Sequence, residues 1–176
     1  VHRDLKPANV MLEPAADGRE RARILDFGLA KVVHGEHMTT GLTERDMIFG
    51  TPEYMAPEQV AGEPVDARCD LYALGCVLYE LTTGHRPFSG GSSVEIMGKH
   101  VRDIPLAPSK RAVDRRIPAE LDALIMKLLE KKPEDRFADA AQVREALERV
   151  LPIAQRKPGK TKKQVALLAG FAALAM

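Results

Sequence analysis

Hydrophobic and polar positions change rhythm several times along the chain. Val10, Met11 and Leu12 make Asn9 to Glu13 a short strand, and Arg23 to Leu25 reads as a second. Pro14 to Glu20 lies between them and contains the turn signal Asp17-Gly18, so the pair is predicted to be a hairpin with a long loop. From Gly28 to about Pro57 no period is sustained, and Gly35, Gly41, Gly50, Pro52 and Pro57 punctuate the stretch. A segment of that length without a period in a compact domain is usually functional. From Asp70 to Thr83, Leu71, Tyr72, Leu74, Cys76, Val77, Leu78, Tyr79 and Leu81 cover every face of a helix, and Gly84 follows as a stop. A helix apolar all round belongs in a core.

The later helices carry cap signals. Ser92 with Glu95 reads as a capping box for a short helix over Val94 to Val101. Pro118 opens a clearer helix, with Leu121, Leu124, Ile125, Leu128 and Leu129 on one face and Pro133 as its end. Asp139 with Gln142 leads into Val143, Ala146, Leu147 and Val150. The expected domain is mainly helical, with one small hairpin near its start.

Composition narrows the class. A chain of 176 residues with 45% hydrophobic content can bury a real core, which excludes disorder as its main state. Two Cys cannot staple a fold of this size. Cys69 and Cys76 would lie roughly 10 Å apart along a helix axis, too far for a disulfide, and read as small buried hydrophobes. The net charge of +1 gives no global pull toward nucleic acid, but it is unevenly distributed. Residues 1–150 hold 21 basic and 25 acidic side chains, a balance of −4. Residues 151–163 hold five basic residues (Arg156, Lys157, Lys160, Lys162 and Lys163) and no acid, and residues 164–176 hold no charge.

The candidate chemistry lies in the first third of the chain. Val1-His2-Arg3-Asp4-Leu5-Lys6-Pro7-Ala8-Asn9 places an Asn five positions after an Asp that follows His-Arg, Asp26-Phe27-Gly28 follows, and Ala56-Pro57-Glu58 comes third. Each tripeptide alone is weak, whereas the three in this order match the catalytic-loop, D-F-G and A-P-E elements of protein kinases. The chain therefore resembles the large lobe of a eukaryotic-type protein kinase over residues 1–150. Gly50 to Glu58 resembles the segment that shapes the substrate pocket, Asp70 with Gly75 the central D-x-x-x-x-G helix, and Arg136 the late arginine that pairs with the A-P-E glutamate, here Glu58.

The resemblance implies an α+β kinase fold, of which this chain is the mainly helical large lobe, and transfer of the ATP γ-phosphoryl to a protein hydroxyl. Asp4 would orient that hydroxyl and take its proton, and Lys6 would bring positive charge to the transferring group. Asn9 and Asp26 offer the oxygen ligands that Mg²⁺, or Mn²⁺, prefers, with Lys6 also on the ATP side. Lys6 two residues after Asp4, together with the Gly50–Glu58 segment, resembles the Ser/Thr-directed branch, and Thr51 would form a wall of the substrate site. Arg3 would bind a phosphate on the activation loop, with Thr39, Thr40 and Thr43 as candidate sites. His2 is expected to pack and not to act as an acid or base. His34 and His37 lack the partners of a metal site and read as surface residues. His85 and His100 carry no usable signal, and Glu63, Asp66 and Arg68 read as solvated loop charges.

The end of the chain adds a topology. Val165 to Met176 is a run of twelve uncharged, mostly apolar residues, shorter than the roughly twenty that span a bilayer. The basic residues before it place the kinase portion on the cytoplasmic side by the positive-inside rule. The arrangement resembles bacterial receptor-like Ser/Thr kinases: a kinase lobe over 1–150, a basic juxtamembrane linker over 151–163 and the start of a membrane helix over 164–176. Expected partners are Ser/Thr-bearing proteins, a second copy for trans-autophosphorylation and a membrane, but not nucleic acid. The 176 residues contain no Gly-rich phosphate loop, so they are expected to be inactive alone. The competing reading is a non-catalytic, kinase-like binding or scaffolding module.

Overall fold

A computed structural model describes residues 1–14, 20–25 and 50–155, with the backbone alone described over 151–155. Strands β1 (Val10–Pro14) and β2 (Glu20–Ile24) pair antiparallel in register, from Val10 opposite Ile24 to Pro14 opposite Glu20. The strands run further toward the turn than the apolar pattern indicates, because cross-strand pairing continues through Glu13 opposite Arg21. A 3₁₀ turn over Pro7–Asn9 leads into β1, started by Pro7, whose fixed φ suits a first turn.

Among the described residues six helices follow: α1 (Pro57–Ala61), α2 (Arg68–Thr83), α3 (Ser93–Arg102), α4 (Pro108–Arg111), α5 (Ala119–Leu128) and α6 (Ala140–Gln155). Helix α2 is the axis of the core. Tyr72, Cys76, Val77, Leu78 and Tyr79 are all but fully buried, each large apolar side chain contributing about 2 kcal/mol. The Thr82 and Thr83 hydroxyls are buried as well and donate back to Leu78 O and Tyr79 O, at 2.8 Å each, so neither is left unpaired. Gly84 closes the helix at φ 78°, with its N–H on Glu80 O at 2.7 Å. Helix α5 packs against α2 so closely that a Cβ on Gly75 would lie 2.8 Å from Leu128 Cβ. Val143, Leu147 and Val150 of α6 complete the same core.

The cap signals form real caps. The Ser92 hydroxyl accepts Glu95 N–H at 3.2 Å, and Asp139 Oδ1 accepts Gln142 N–H at 2.9 Å. Helix α2 begins at Arg68, two residues before its apolar run, because the Asp66 carboxylate takes the Arg68 N–H at 2.8 Å. Arg68 is thus a helix residue, and its guanidinium pairs with Asp66 at 2.6 Å. The short helices α1 and α4 are not indicated by periodicity, since each is a single Pro-initiated turn. Pro133 does not terminate α5 directly; α5 ends at Leu128 and Pro133 starts a separate 3₁₀ turn over Pro133–Asp135. Both cysteines are free and buried, and burial pushes the Cys69 thiol up to about 12 and that of Cys76 further. Among the described residues no helix is long and apolar enough to cross a membrane. The basic segment from Arg156 and the apolar run to Met176 lie outside the described residues.

Candidate active site

The first nine residues form a loop held from behind. Arg3 has φ 66°, a left-handed conformation that non-glycine residues rarely adopt. The α2 carboxylate of Asp70 holds that turn, Oδ2 accepting His2 N–H at 2.7 Å and Oδ1 accepting Arg3 N–H at 2.8 Å. The His2 ring is buried under the loop. Its Nδ1 accepts Asp4 N–H at 3.2 Å, so the proton sits on Nε2, which donates to Leu25 O at 3.1 Å. The ring is a spacer between the loop and the residue after β2. Leu5 is buried in the main core, while Asp4 and Lys6 on either side of it remain partly accessible.

Asp4, Lys6 and Thr51 close into a ring. Lys6 Nζ lies 3.1 Å from Asp4 Oδ2 and donates to Thr51 Oγ1 at 2.8 Å, and the Thr51 hydroxyl donates to Asp4 Oδ1 at 3.3 Å. Thr51 is 45 residues from Lys6 in sequence and is delivered by the 3₁₀ turn Pro52–Tyr54 that it precedes. Asn9 Nδ2 donates to the Asp4 carbonyl at 2.8 Å, and the Asn9 carbonyl accepts Leu25 N–H at 2.8 Å. With its nitrogen committed, the Asn9 amide presents Oδ1 as its remaining polar end. Oxygen is the donor that a hard divalent cation takes, so the residue fits that use.

A second, buried assembly carries the Thr51 segment. Glu58 on α1 and Arg136 meet in a bidentate pair with both N–O distances at 2.7 Å, and both side chains are almost wholly buried. The remaining guanidinium hydrogens go to carbonyls, from Nε to Glu130 O at 2.8 Å, Nη1 to Arg68 O at 3.0 Å and Nη2 to Lys131 O at 2.9 Å. The guanidinium also lies 4.9 Å from the Tyr72 ring centroid. All five donors are satisfied, the condition for burying a charge of this kind.

Gln59, Glu80 and Arg86 carry no motif signal in sequence, whereas Tyr54 belongs to the Gly50–Glu58 segment. Gln59 uses its whole amide, Oε1 accepting Ala56 N–H at 3.0 Å and Nε2 donating to Arg3 O at 3.3 Å, and so ties α1 to the left-handed loop residue. Tyr54 donates to Glu80 Oε2 at 2.5 Å, and its phenol is pushed well up by burial first and by Glu80 second. Arg86 meets Glu53 at 2.7 Å, lies 3.9 Å from Glu80 and caps the Tyr54 ring at 5.8 Å. The hydropathy of α2 reports burial and says nothing of Glu80 turning back to this turn. Asp26, Thr39, Thr40 and Thr43 lie outside the described residues.

A reactive-side carboxylate, lysine and threonine on a loop anchored to a buried helix, over an ion pair that fixes the neighbouring segment, define a protein kinase domain. The chain belongs to that family, whose model matches residues 1–149. It is 43% identical over 150 residues to the serine/threonine-protein kinase PknB of Mycobacterium leprae, a match that covers 85% of this chain and 23% of that protein. It is 42% identical over 150 residues to the serine/threonine-protein kinase pkn3 of Myxococcus xanthus, covering 85% of this chain and 27% of the relative. A probable serine/threonine-protein kinase of Streptomyces coelicolor is 44% identical over 151 residues, 86% of this chain and 21% of its own length. The chain thus spans roughly a quarter of the length of these relatives.

Proposed function

We propose that the site transfers the γ-phosphoryl group of ATP to Ser or Thr hydroxyls of proteins. The observation that carries this reading is the closed ring of Asp4, Lys6 and Thr51. Asp4 accepts the hydrogen of the incoming hydroxyl and takes its proton as the new bond forms. Lys6 stands beside it with a positive charge for the transferring group, and Thr51 fixes the separation of the two. Holding them in one geometry converts a bimolecular encounter into an oriented one, which is where most of the acceleration of phosphoryl transfer arises. Asn9, with Asp26, would hold Mg²⁺ or Mn²⁺, which when bound neutralises phosphate charge. The Ser/Thr direction is supported by Lys6 with its Thr51 partner, and by the printed names of the relatives.

The 176 residues supply no Gly-rich phosphate loop, and we propose that turnover needs groups outside them. Residues 1–150 act as the kinase lobe in this reading, 151–163 as a basic linker and 164–176 as part of a membrane anchor, with the lobe on the cytoplasmic side. Phosphorylation at Thr39, Thr40 or Thr43, by a second copy, would engage Arg3 and order the substrate segment. The test is transfer of labelled phosphate from ATP to a Ser/Thr-containing basic protein by the intact protein and by its Asp4→Asn variant. Transfer by the first and not the second supports the reading; ATP binding without transfer by the intact protein favours the scaffolding alternative.

A further inference from the structure

The segment between α3 and α5 combines basic charge with exposed aliphatic side chains. Between α3 and α5, Ile104 is 82% exposed, Leu106 55% and Val113 86%. Lys110, Arg111, Arg115 and Arg116 are exposed around them, with Asp114 the one acid from 104 to 116. The segment therefore carries +3 within a portion of the chain whose balance is −4.

The exposure does not come from a loose backbone. Tyr79 Oη donates to Leu106 O at 2.9 Å, Ser109 gives both its N–H and its hydroxyl to Asp122, and Ala112 N–H closes on Pro108 O at 2.9 Å. Pro108 and Ala112 are buried, and Arg115 Nη1 donates to Thr82 O at 3.0 Å at the end of α2. The aliphatic tips stand out from a fixed frame among cations.

We infer that the Ile104–Arg116 surface docks on an anionic lipid bilayer. Basic side chains lie in the headgroup potential while aliphatic tips enter the boundary below it, the pairing that interfacial anchors use. A surface for single-stranded nucleic acid would be expected to add stacking rings, and residues 104–116 contain no aromatic side chain. The choice of lipid over an acidic protein rests on the membrane-side placement proposed above, which the basic residues from Arg156 to Lys163 support. Docking would fix the orientation of the lobe and of the Asp4 site relative to the membrane.

The test is co-sedimentation of the 176-residue chain with vesicles of phosphatidylcholine alone and of phosphatidylcholine mixed with phosphatidylglycerol. The variant Lys110→Gln/Arg111→Gln/Arg116→Gln leaves Arg115 on Thr82 O, and its thermal unfolding is checked against the parent. Its binding to the mixed vesicles is expected to fall by on the order of a hundredfold. A second variant, Val113→Asp, is expected to weaken binding to the same vesicles in low salt. Undiminished binding by both variants overturns the docking surface and leaves the tail anchor standing. Failure of the parent to bind the mixed vesicles overturns the surface. Loss of retention on DNA by the triple variant, with vesicle binding unchanged, reassigns the surface to a polyanion and overturns the lipid assignment.

Discussion

The Asp70 carboxylate holds Arg3 in its left-handed turn, with Oδ1 2.8 Å from Arg3 N and Oδ2 2.7 Å from His2 N. One side chain of the buried helix thus sets the backbone that presents Asp4. Asp70→Ala strips a part-buried amide of its acceptor, at about 1–3 kcal/mol, while the exposed Arg3 amide recovers water. The melting temperature should fall, and phosphate transfer by the intact protein should fall further than stability alone explains. Calorimetry with a parallel transfer assay checks this; a stability loss with unchanged turnover would separate Asp70 from the site.

The Glu58–Arg136 pair is buried with every guanidinium donor used. Removing one partner leaves an uncompensated charge in the core, so Arg136→Met and Glu58→Leu should each destabilise by about 3–5 kcal/mol. The double replacement should recover part of that loss. A urea-denaturation cycle over the four proteins measures the coupling, and additive single effects would contradict it.

Thr51 closes the ring between Lys6 and Asp4. Thr51→Ala should lower kcat by roughly ten- to a hundredfold with little change in the ATP KM, and Thr51→Ser should restore most of it. Equal activity in both variants would remove Thr51 from the positioning set.

Stability should depend on pH through His100. This side chain of α3 is fully buried, sharing a 2.9 Å bond with the Tyr72 hydroxyl, and its Nε2 meets no hydrogen-bond partner among the described residues. Burial first and Lys131 second push it from 6.5 down to about 4, against an opposing effect of the Glu53 backbone. The unfolded chain takes up the proton near 6.5 and the folded chain only near 4, so unfolding binds protons across that window. Stability should therefore fall as pH drops from about 6.5 to 4, by on the order of 3 kcal/mol for this group. Denaturation across that range should show the slope reduced in His100→Asn; the same slope in both proteins would contradict the assignment.

Gly75 faces α5 with no room for a side chain, since a Cβ would lie 2.8 Å from Leu128 Cβ. Gly75→Ala should destabilise by about 1–3 kcal/mol, measured by denaturant midpoint, despite its better helix propensity.

What the sequence reveals is local or motif-bound. Helix α2 is legible because its apolar residues cover all faces, α3 because of its Ser92 cap, and α5 and α6 because start signals and a 3.6-residue period coincide. The pairs Asp4–Lys6 and Glu58–Arg136 are reachable because the motifs bear on these positions. Gln59, Glu80 and Arg86 are not, because their work is tertiary: each polar side chain reaches across to a backbone or ring distant in sequence. His100 is silent for the same reason, as a histidine on a short helix carries no sign that Tyr72 and Phe88 will enclose it. The hairpin and the helix starts shift by one to three residues because strand pairing and the Asp66 cap extend elements beyond their apolar runs.

The role proposed for Asp4 is that of proton acceptor in a ring with Lys6 and Thr51. The most direct measurement is single-turnover phosphate transfer by the intact protein and its Asp4→Asn variant, with ATP affinity read in parallel. The variant's rate should be lower by roughly a hundred- to ten-thousandfold at unchanged ATP affinity and unchanged melting temperature. A folded Asp4→Asn protein that transfers phosphate at the parental rate would contradict it.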